Sequence, residues 1–249
     1  AVKQFDLGKR AQLLQNELNN NYGIDNVIGE NTGLKEVFKL LDKVKNFSPH
    51  VLLTGESGTG KEVLARRIHN DSTFSDGPFI EINCGAIPES LQETELFGHK
   101  KGAFTGAVEA SQGKLRAANG GTIFFDEVSE LSLKTQAAIL RFIQEKCFMP
   151  VGDNVKVQVD CRIISAVNVD LQEEVRKGRF REDLYYRLAD FPITIPPIRD
   201  RATDLPLFFE YYINKFSIKY GKVFKKMSPS AIDVLSKYHW PGNVRELKS

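Results

Sequence analysis

Short apolar stretches recur along the first 195 residues, and each one ends in a glycine loop or at polar residues. Between them lie segments with apolar positions three or four residues apart, such as Glu62–His69 and Leu133–Glu145. These patterns predict strands that alternate with helices, an order typical of a parallel sheet covered on both faces. The five predicted strands lie in HVLLTG, PFIEINC, GTIFFDE, CRIISAVN and FPITIP.

The pattern changes at Pro196 and Pro197, which interrupt regular structure. From Asp204 onward only helical patterns follow, in LPLFFEYYINKFSIKYG, after residue 228 and from PGNVREL. Ser228 is a typical N-cap residue and Pro229 a typical first residue of a helix. The sequence therefore predicts an α/β domain followed by a small helical domain. The predicted bounds are a polar linker helix over 1–22, the α/β domain over 23–197 and the helical domain over 198–249.

Composition excludes some classes of protein and leaves others open. The chain has 249 residues, 41% of them apolar and 27% charged, which is enough for a substantial core. A net charge of +2 gives no general argument for nucleic-acid binding. Neither a membrane span nor a signal sequence is visible, and the cysteines form no CxxC pair, so we expect a cytoplasmic protein with reduced thiols and no membrane contact. The histidines lack metal-ligand spacing, so we predict no structural metal.

GESGTGK matches the phosphate-binding pattern G-x-x-x-x-G-K, after a predicted strand and before a predicted helix. Glycines in such a loop let backbone N–H groups surround phosphates, and the lysine reaches the β- and γ-phosphates. Glutamate stands where a serine or threonine usually holds Mg²⁺, so the ion would depend on phosphates, water and a second acidic site. The predicted nucleotide-binding residues here are Gly55, Glu56, Ser57, Gly58, Thr59, Gly60, Lys61 and Glu62.

Asp126 and Glu127 supply that second acidic site at the end of the strand in GTIFFDE. Ligands of open α/β sheets bind at the carboxyl ends of the strands. Asp126 would hold Mg²⁺, directly or through water, and Glu127 would orient the attacking water. The alternative is an acidic pair that caps the next helix. Asn168 ends a later strand, where it would contact the water or γ-phosphate or serve as an ordinary turn residue.

HKKGAFTGAV sets Phe104 between Gly102 and Gly106, with charge just upstream. Glycine on both sides favours a loop rather than a strand or helix. The residues alone leave two interpretations open. The loop either tucks one aromatic side chain into the core, or presents it to a partner.

Taken together, five segments resemble the central AAA+ domain of bacterial enhancer-binding proteins, the activators of sigma-54 RNA polymerase. The resemblance runs from about Val27 to Leu247, and GAFTGA between a phosphate loop and a DE strand is its most specific element. It implies a ring-forming ATPase that uses ATP and Mg²⁺. The segments are GESGTGKE, NCGAIPESLQETELFGHKKGAFTGA, GTIFFDE, FREDLYYRL and WPGNVREL.

The resemblance also implies roles for single residues. Asn83 would be a switch that holds Glu127 in one nucleotide state, and Asn168 would be the first sensor. Arg181 and Arg187 would be arginine fingers that reach the neighbouring subunit's ATP, although their spacing alone favours a solvated face. The phosphate-binding lysine would be Lys61, the second sensor Arg245, and the adenine-lining residues Val27, Ile28 and Gly29.

The resemblance implies that the GAFTGA loop contacts sigma-54 and that hydrolysis remodels the closed promoter complex. A loop near Phe148 to Val155 would support it, a homo-oligomeric hexamer or heptamer would form, and DNA would be bound only by a domain outside this segment. The alternatives are a regulator that binds nucleotide without productive hydrolysis, and another AAA+ motor such as a helicase loader or chelatase subunit. The predicted partner-binding residues are Gly102, Ala103, Phe104, Thr105, Gly106 and Ala107.

Overall fold

A computed structural model describes residues 27–45, 47, 49–104, 107–220 and 227–249. The linker helix predicted over residues 1–22 lies outside the described residues, as do Thr105 and Gly106 of the predicted partner-binding loop.

The strands are β1 Val51–Thr54, β2 Phe79–Asn83, β3 Thr122–Asp126, β4 Cys147–Phe148, β5 Val157–Gln158, β6 Arg162–Val167 and β7 Phe191–Thr194. The predicted five-stranded parallel sheet is confirmed, with spatial order β2-β3-β6-β1-β7. All six positions of the central strand β6 are buried, as expected for a strand with both faces covered. A separate antiparallel pair, β4 with β5, has only two residues on each side.

Helices cover both faces of this sheet. Adjacent residues of β3 point to opposite sides, so Phe124 packs with the helices of one face and Phe125 with those of the other. Ser132 accepts a hydrogen bond from the Thr135 N–H and so fixes the start of the helix Leu133–Glu145. The helices are α1 Lys35–Val44, α2 Lys61–Asn70, α3 Glu89–Phe97, α4 Lys114–Ala117, α5 Leu133–Glu145, α6 Leu171–Arg176 and α7 Glu182–Leu188.

The C-terminal part is helical, as predicted, and we call it the lid. It begins with the 3-10 segment Ile198–Asp204 and has a small apolar cluster of its own around Trp240. Ser228 caps its second helix by accepting a hydrogen bond from the Ala231 N–H, with Pro229 as the first helical residue. The lid helices are α8 Leu205–Tyr220, α9 Pro229–Ser236 and α10 Asn243–Lys248.

Parallel pairing brings the carboxyl ends of the strands to one edge of the sheet. Asn83 lies opposite Asp126 in the β2–β3 register. The Gly55 N–H donates to the carbonyl of Val167, so the loop after β1 lies beside the end of β6. This edge therefore gathers the polar residues that the sequence singled out. Within the part of the chain that the structure describes, no helix is long and apolar enough to span a membrane.

Candidate active site

The glycine-rich loop joins β1 to α2 at that edge. Gly58 and Gly60 have φ of 78° and 102°, a left-handed conformation that glycine adopts without strain. Lys61 is only 8% exposed, and its Nζ donates to the carbonyl oxygens of Gly55 at 2.8 Å and Glu56 at 3.0 Å. Burial lowers the pKa of Lys61, while the charges of the nearby acidic pair oppose that shift. The loop therefore holds a partly desolvated ammonium group that an anion would stabilise.

Asp126 and Glu127 line the same cavity as residues of this loop. Burial raises the pKa of Asp126, and the charge of Lys61 partly offsets this. Asp126 Oδ1 accepts from the Glu127 N–H at 3.1 Å, and Glu127 has a left-handed φ of 53°. The Glu127 side chain does not cap the 3-10 turn Val128–Glu130 that follows it. Its carboxylate thus lies in the cavity wall rather than in a helix cap.

A close approach at Gly85 links Glu127 to Asn83. A Cβ atom added at Gly85 would lie 2.6 Å from Glu127 Oε2 and 3.5 Å from Asn83 Oδ1. Asn83 Oδ1 also accepts a hydrogen bond from the Ala86 N–H at 3.0 Å. The turn after β2 therefore holds the predicted switch asparagine and the predicted catalytic glutamate near the same point.

Glu62 is engaged within its own helix. Its carboxylate accepts from Arg66 Nε at 3.0 Å, and Arg66 Nη2 donates to Glu81 Oε2 at 2.8 Å. Among the residues that the structure describes, no three His, Cys, Asp or Glu side chains form a ready-made metal site. A cation at Asp126 would thus need phosphate oxygens and water to complete its ligands.

A cavity of about 430 Å³ lies between the glycine-rich loop, the acidic pair and the lid. Of the three residues predicted to line the adenine, Val27 and Ile28 line this cavity, whereas Gly29 packs beneath the Asp204 carboxylate. On the lid side of this wall Arg245 is predicted from the sequence, whereas the lining residues of α8 have no local sequence signal. The missed residues include Phe208, Tyr211, Tyr212 and Lys215.

The remaining predicted residues are divided between the cavity wall and the surface outside it. Asn168 is exposed just after β6. Arg181 forms two hydrogen bonds with Asp183, at 2.7 and 3.0 Å, and Arg187 is exposed on α7. Arg245 lines the cavity, and its Nη1 donates to Ser57 Oγ at 2.8 Å. The two finger candidates therefore do not line the cavity of their own chain.

The GAFTGA loop follows α3, whose last residue is Phe97. Phe104 is 41% exposed, and its ring packs edge-on against His99 with centroids 5.0 Å apart. The Lys100 N–H donates to the carbonyl of Val151 at 3.0 Å, so the loop near 148–155 is hydrogen-bonded to the base of this one. The Phe104 ring belongs to neither of the sheet's two core clusters.

The fold and the cavity define a class. A parallel sheet with a glycine-rich loop, an acidic pair at the next strand and a helical lid makes this an AAA+ P-loop nucleotide-binding module. NtrX from Brucella abortus, solved in complex with ADP, superposes with a TM-score of 0.86 at 31% identity over 99% of this chain and 56% of that one.

Comparison with family models then identifies the family within this class. Residues 27–194 match the model of the sigma-54 interaction domain and residues 199–249 that of the AAA+ ATPase lid domain. The chain belongs to the sigma-54 interaction domain family. It is 46% identical to the phenol regulator MopR of Acinetobacter guillouiae over 99% of this chain and 44% of MopR. It is also 46% identical to the nitrogen fixation protein VnfA of Azotobacter vinelandii over 100% of this chain and 48% of VnfA. The chain thus spans about half the length of these relatives.

Proposed function

We propose that this chain is the ATP-hydrolysing module of a sigma-54-dependent transcriptional activator, working in an oligomeric ring. One observation carries the proposal. A buried lysine and an acidic pair share one cavity, and the same α/β domain presents a half-exposed phenylalanine on a separate loop. Nucleotide chemistry and partner contact would therefore occupy different places on one domain.

ATP would bind with its phosphates on the glycine-rich loop. Lys61 would exchange its carbonyl partners, those of Gly55 and Glu56, for phosphate oxygens. A charged partner suits a partly buried ammonium better than two neutral carbonyls. The base would lie towards Val27, Ile28 and the lid, which form the apolar part of the wall. Structures of NtrX in complex with ADP and with ATP support this choice of ligand.

Asp126 is the residue that would hold Mg²⁺. Its half-buried carboxylate lines the cavity, whereas the carboxylate of Glu62 already accepts a hydrogen bond from Arg66. When bound, Mg²⁺ would neutralise charge on the β- and γ-phosphates. Glu127, beside it, would orient the attacking water and accept its proton. Asn83 would hold the Glu127 carboxylate in one nucleotide state through the close approach at Gly85.

Contacts between α3 and the segment after Glu127 would transmit a change at the nucleotide site to the GAFTGA loop. Gln92 on α3 is buried, donates to the Glu130 carbonyl at 3.0 Å and accepts from the Ser132 N–H at 2.9 Å. Glu130 closes the turn after Glu127, and α3 leads directly into the loop. A shift of the acidic segment would therefore move α3 and the loop with it.

Arg181 and Arg187 would act on the ATP of a neighbouring protomer. Neither lines its own cavity, and an arginine finger supplied from another subunit contributes roughly 10³- to 10⁵-fold in rate. A single protomer would then lack a complete site, and hydrolysis would depend on assembly.

Phe104 would leave His99 and bind sigma-54, because an exposed aromatic ring anchors transient contacts. The test measures sigma-54 binding and ATP hydrolysis for Phe104→Ala. We expect near-normal hydrolysis and loss of sigma-54 binding. Val108→Ala is the matched control, since Val108 lies just outside the hexapeptide and is 74% exposed. Retained sigma-54 binding by Phe104→Ala would contradict this role, and a wild-type chain that binds ATP without turnover would favour the non-hydrolysing regulator.

A further inference from the structure

Residues of the lid donate hydrogen bonds to four consecutive residues of the glycine-rich loop, Glu56 to Thr59. The Glu56 carboxylate accepts from Arg199 Nη1 at 2.9 Å, Arg199 Nη2 at 2.5 Å and Asn243 Nδ2 at 3.1 Å. This two-pronged pairing with Arg199 lowers the pKa of Glu56 to about 2, with a smaller contribution from Asn243. The Glu56 side chain therefore points at the lid and not into the cavity, and a nucleotide contact by Glu56 stays a prediction.

The next three carbonyl groups of the loop also receive donors from the lid side. A planar trans peptide places each carbonyl opposite the following N–H. Donors that fix the direction of the carbonyls of residues 57, 58 and 59 therefore also fix the direction of the N–H groups of residues 58, 59 and 60. Those N–H groups are the ones that a phosphate loop offers to its ligand. The bonds are Asn243 Nδ2 to Ser57 O at 3.1 Å, Val244 N to Gly58 O at 2.9 Å and Arg201 Nη2 to Thr59 O at 2.9 Å.

Asn243 is the centre of this contact. It is 0% exposed and has a left-handed φ of 50°, which asparagine tolerates better than most residues. Its Oδ1 accepts from the Ile198 N–H at 2.8 Å, while its Nδ2 donates to the Glu56 carboxylate and to the Ser57 carbonyl. The amide thus joins the start of the lid, α10 and the loop through both of its ends. A buried polar side chain on a strained backbone is stable only where the surrounding hydrogen bonds fix its conformation.

We propose that Arg199 and Asn243 are positioning residues that shape the phosphate loop through Glu56 and Ser57, so that nucleotide affinity depends on the docked lid. The proposal rests on the proposed function, since it takes the cavity to be an ATP site. Coupling of this kind is reciprocal, so bound nucleotide would also hold the lid more firmly on the loop. Neither Arg199 nor Asn243 touches the cavity, and both act through the loop.

The test is the affinity of the full chain for ADP, measured by calorimetry. Glu56→Gln and Arg199→Gln remove the charge pair at side chains that are each about 40% exposed, so folding should survive. We expect each variant to weaken ADP binding about three- to tenfold, and the double variant to weaken it no further, because both changes break one interaction. Arg199→Lys, which keeps the charge and one donor, should restore part of the affinity. The matched control is Asp233→Asn, which breaks an exposed ion pair with Lys237 elsewhere in the lid and should leave ADP affinity unchanged.

Several outcomes would overturn the proposal. Wild-type affinity in both single variants would do so, as would additive losses in the double variant, or a lowered melting temperature with unchanged affinity. Lys61→Ala separates this idea from the proposed function. If Lys61→Ala still binds ADP as the wild type does, the nucleotide site itself is wrong. If Lys61→Ala loses ADP while Glu56→Gln and Arg199→Gln keep it, only the lid contact is wrong.

Discussion

Gly85 offers a way to displace the Glu127 carboxylate without altering it chemically. A methyl group at Gly85 would lie 2.6 Å from Glu127 Oε2, about 0.8 Å closer than the 3.4 Å at which ordinary van der Waals contact begins. The φ of Gly85 is not in the left-handed region, so alanine fits the backbone there. The carboxylate must therefore rotate or shift by close to 1 Å, while the phosphate-binding lysine keeps its place.

A 1 Å misplacement of a reacting group costs roughly 100-fold in rate. We therefore expect Gly85→Ala to lower kcat for ATP hydrolysis by roughly 10- to 100-fold, with ATP affinity nearly unchanged. The assay is phosphate release at saturating ATP, with affinity measured separately by titration. Glu127→Gln, which removes the carboxylate, provides the lower limit of activity.

Gly120→Ala is the control for the cost of replacing a glycine. Gly120 lies before β3, at the opposite end of that strand from the acidic pair, and an added Cβ there meets nothing within 4 Å. Its φ of 76° makes alanine cost about 1 kcal/mol of stability, with no path to the site. Normal hydrolysis by Gly85→Ala would refute the assignment of Glu127, and loss of ATP binding would show that the turn supports the whole cavity instead.

Two further predictions concern the charges around the phosphates. Lys61→Ala removes the buried ammonium group and should weaken ATP binding by roughly 10- to 100-fold in a titration; wild-type affinity would count against the site. Arg181→Ala should keep ATP affinity and lose roughly 10³-fold or more in hydrolysis. Arg179→Ala, a nearby exposed arginine paired with Glu174, should leave hydrolysis unchanged, and equal loss in both variants would remove the special role of Arg181.

Local patterns were sufficient for most of the fold. Four of the strand predictions rest on short apolar runs that end in a turn or at polar residues, and the fifth, PFIEINC, rests on alternation of apolar and polar residues. The pattern also predicts the start and end of α5 as Leu133 and Glu145, the residues that the structure gives. GESGTGK and the DE pair could be read because each motif is contiguous. The β4–β5 pair has two residues per strand, too few for a periodic signal.

The lid side of the site could not be predicted in this way. Arg199 and Glu56 are 143 residues apart, and Asn243 and Ser57 are 186 apart. Nothing near Glu56 in the sequence indicates that its carboxylate faces a lid arginine instead of a nucleotide. Such contacts arise only once the lid packs on the sheet, so they depend on tertiary structure and not on local propensity.

We infer that ATP is hydrolysed between protomers, with Lys61 from one and Arg181 from the next. It is tested most directly by mixing two inactive variants, Lys61→Ala and Arg181→Ala, and measuring phosphate release. In a mixed assembly, some interfaces place the cavity of an Arg181→Ala chain, with its intact Lys61, beside the intact Arg181 of a Lys61→Ala chain. Each such interface contains both residues that hydrolysis needs. We expect the mixture to hydrolyse ATP although neither variant does so alone. A mixture as inactive as its parts, at concentrations where they co-assemble, would contradict it.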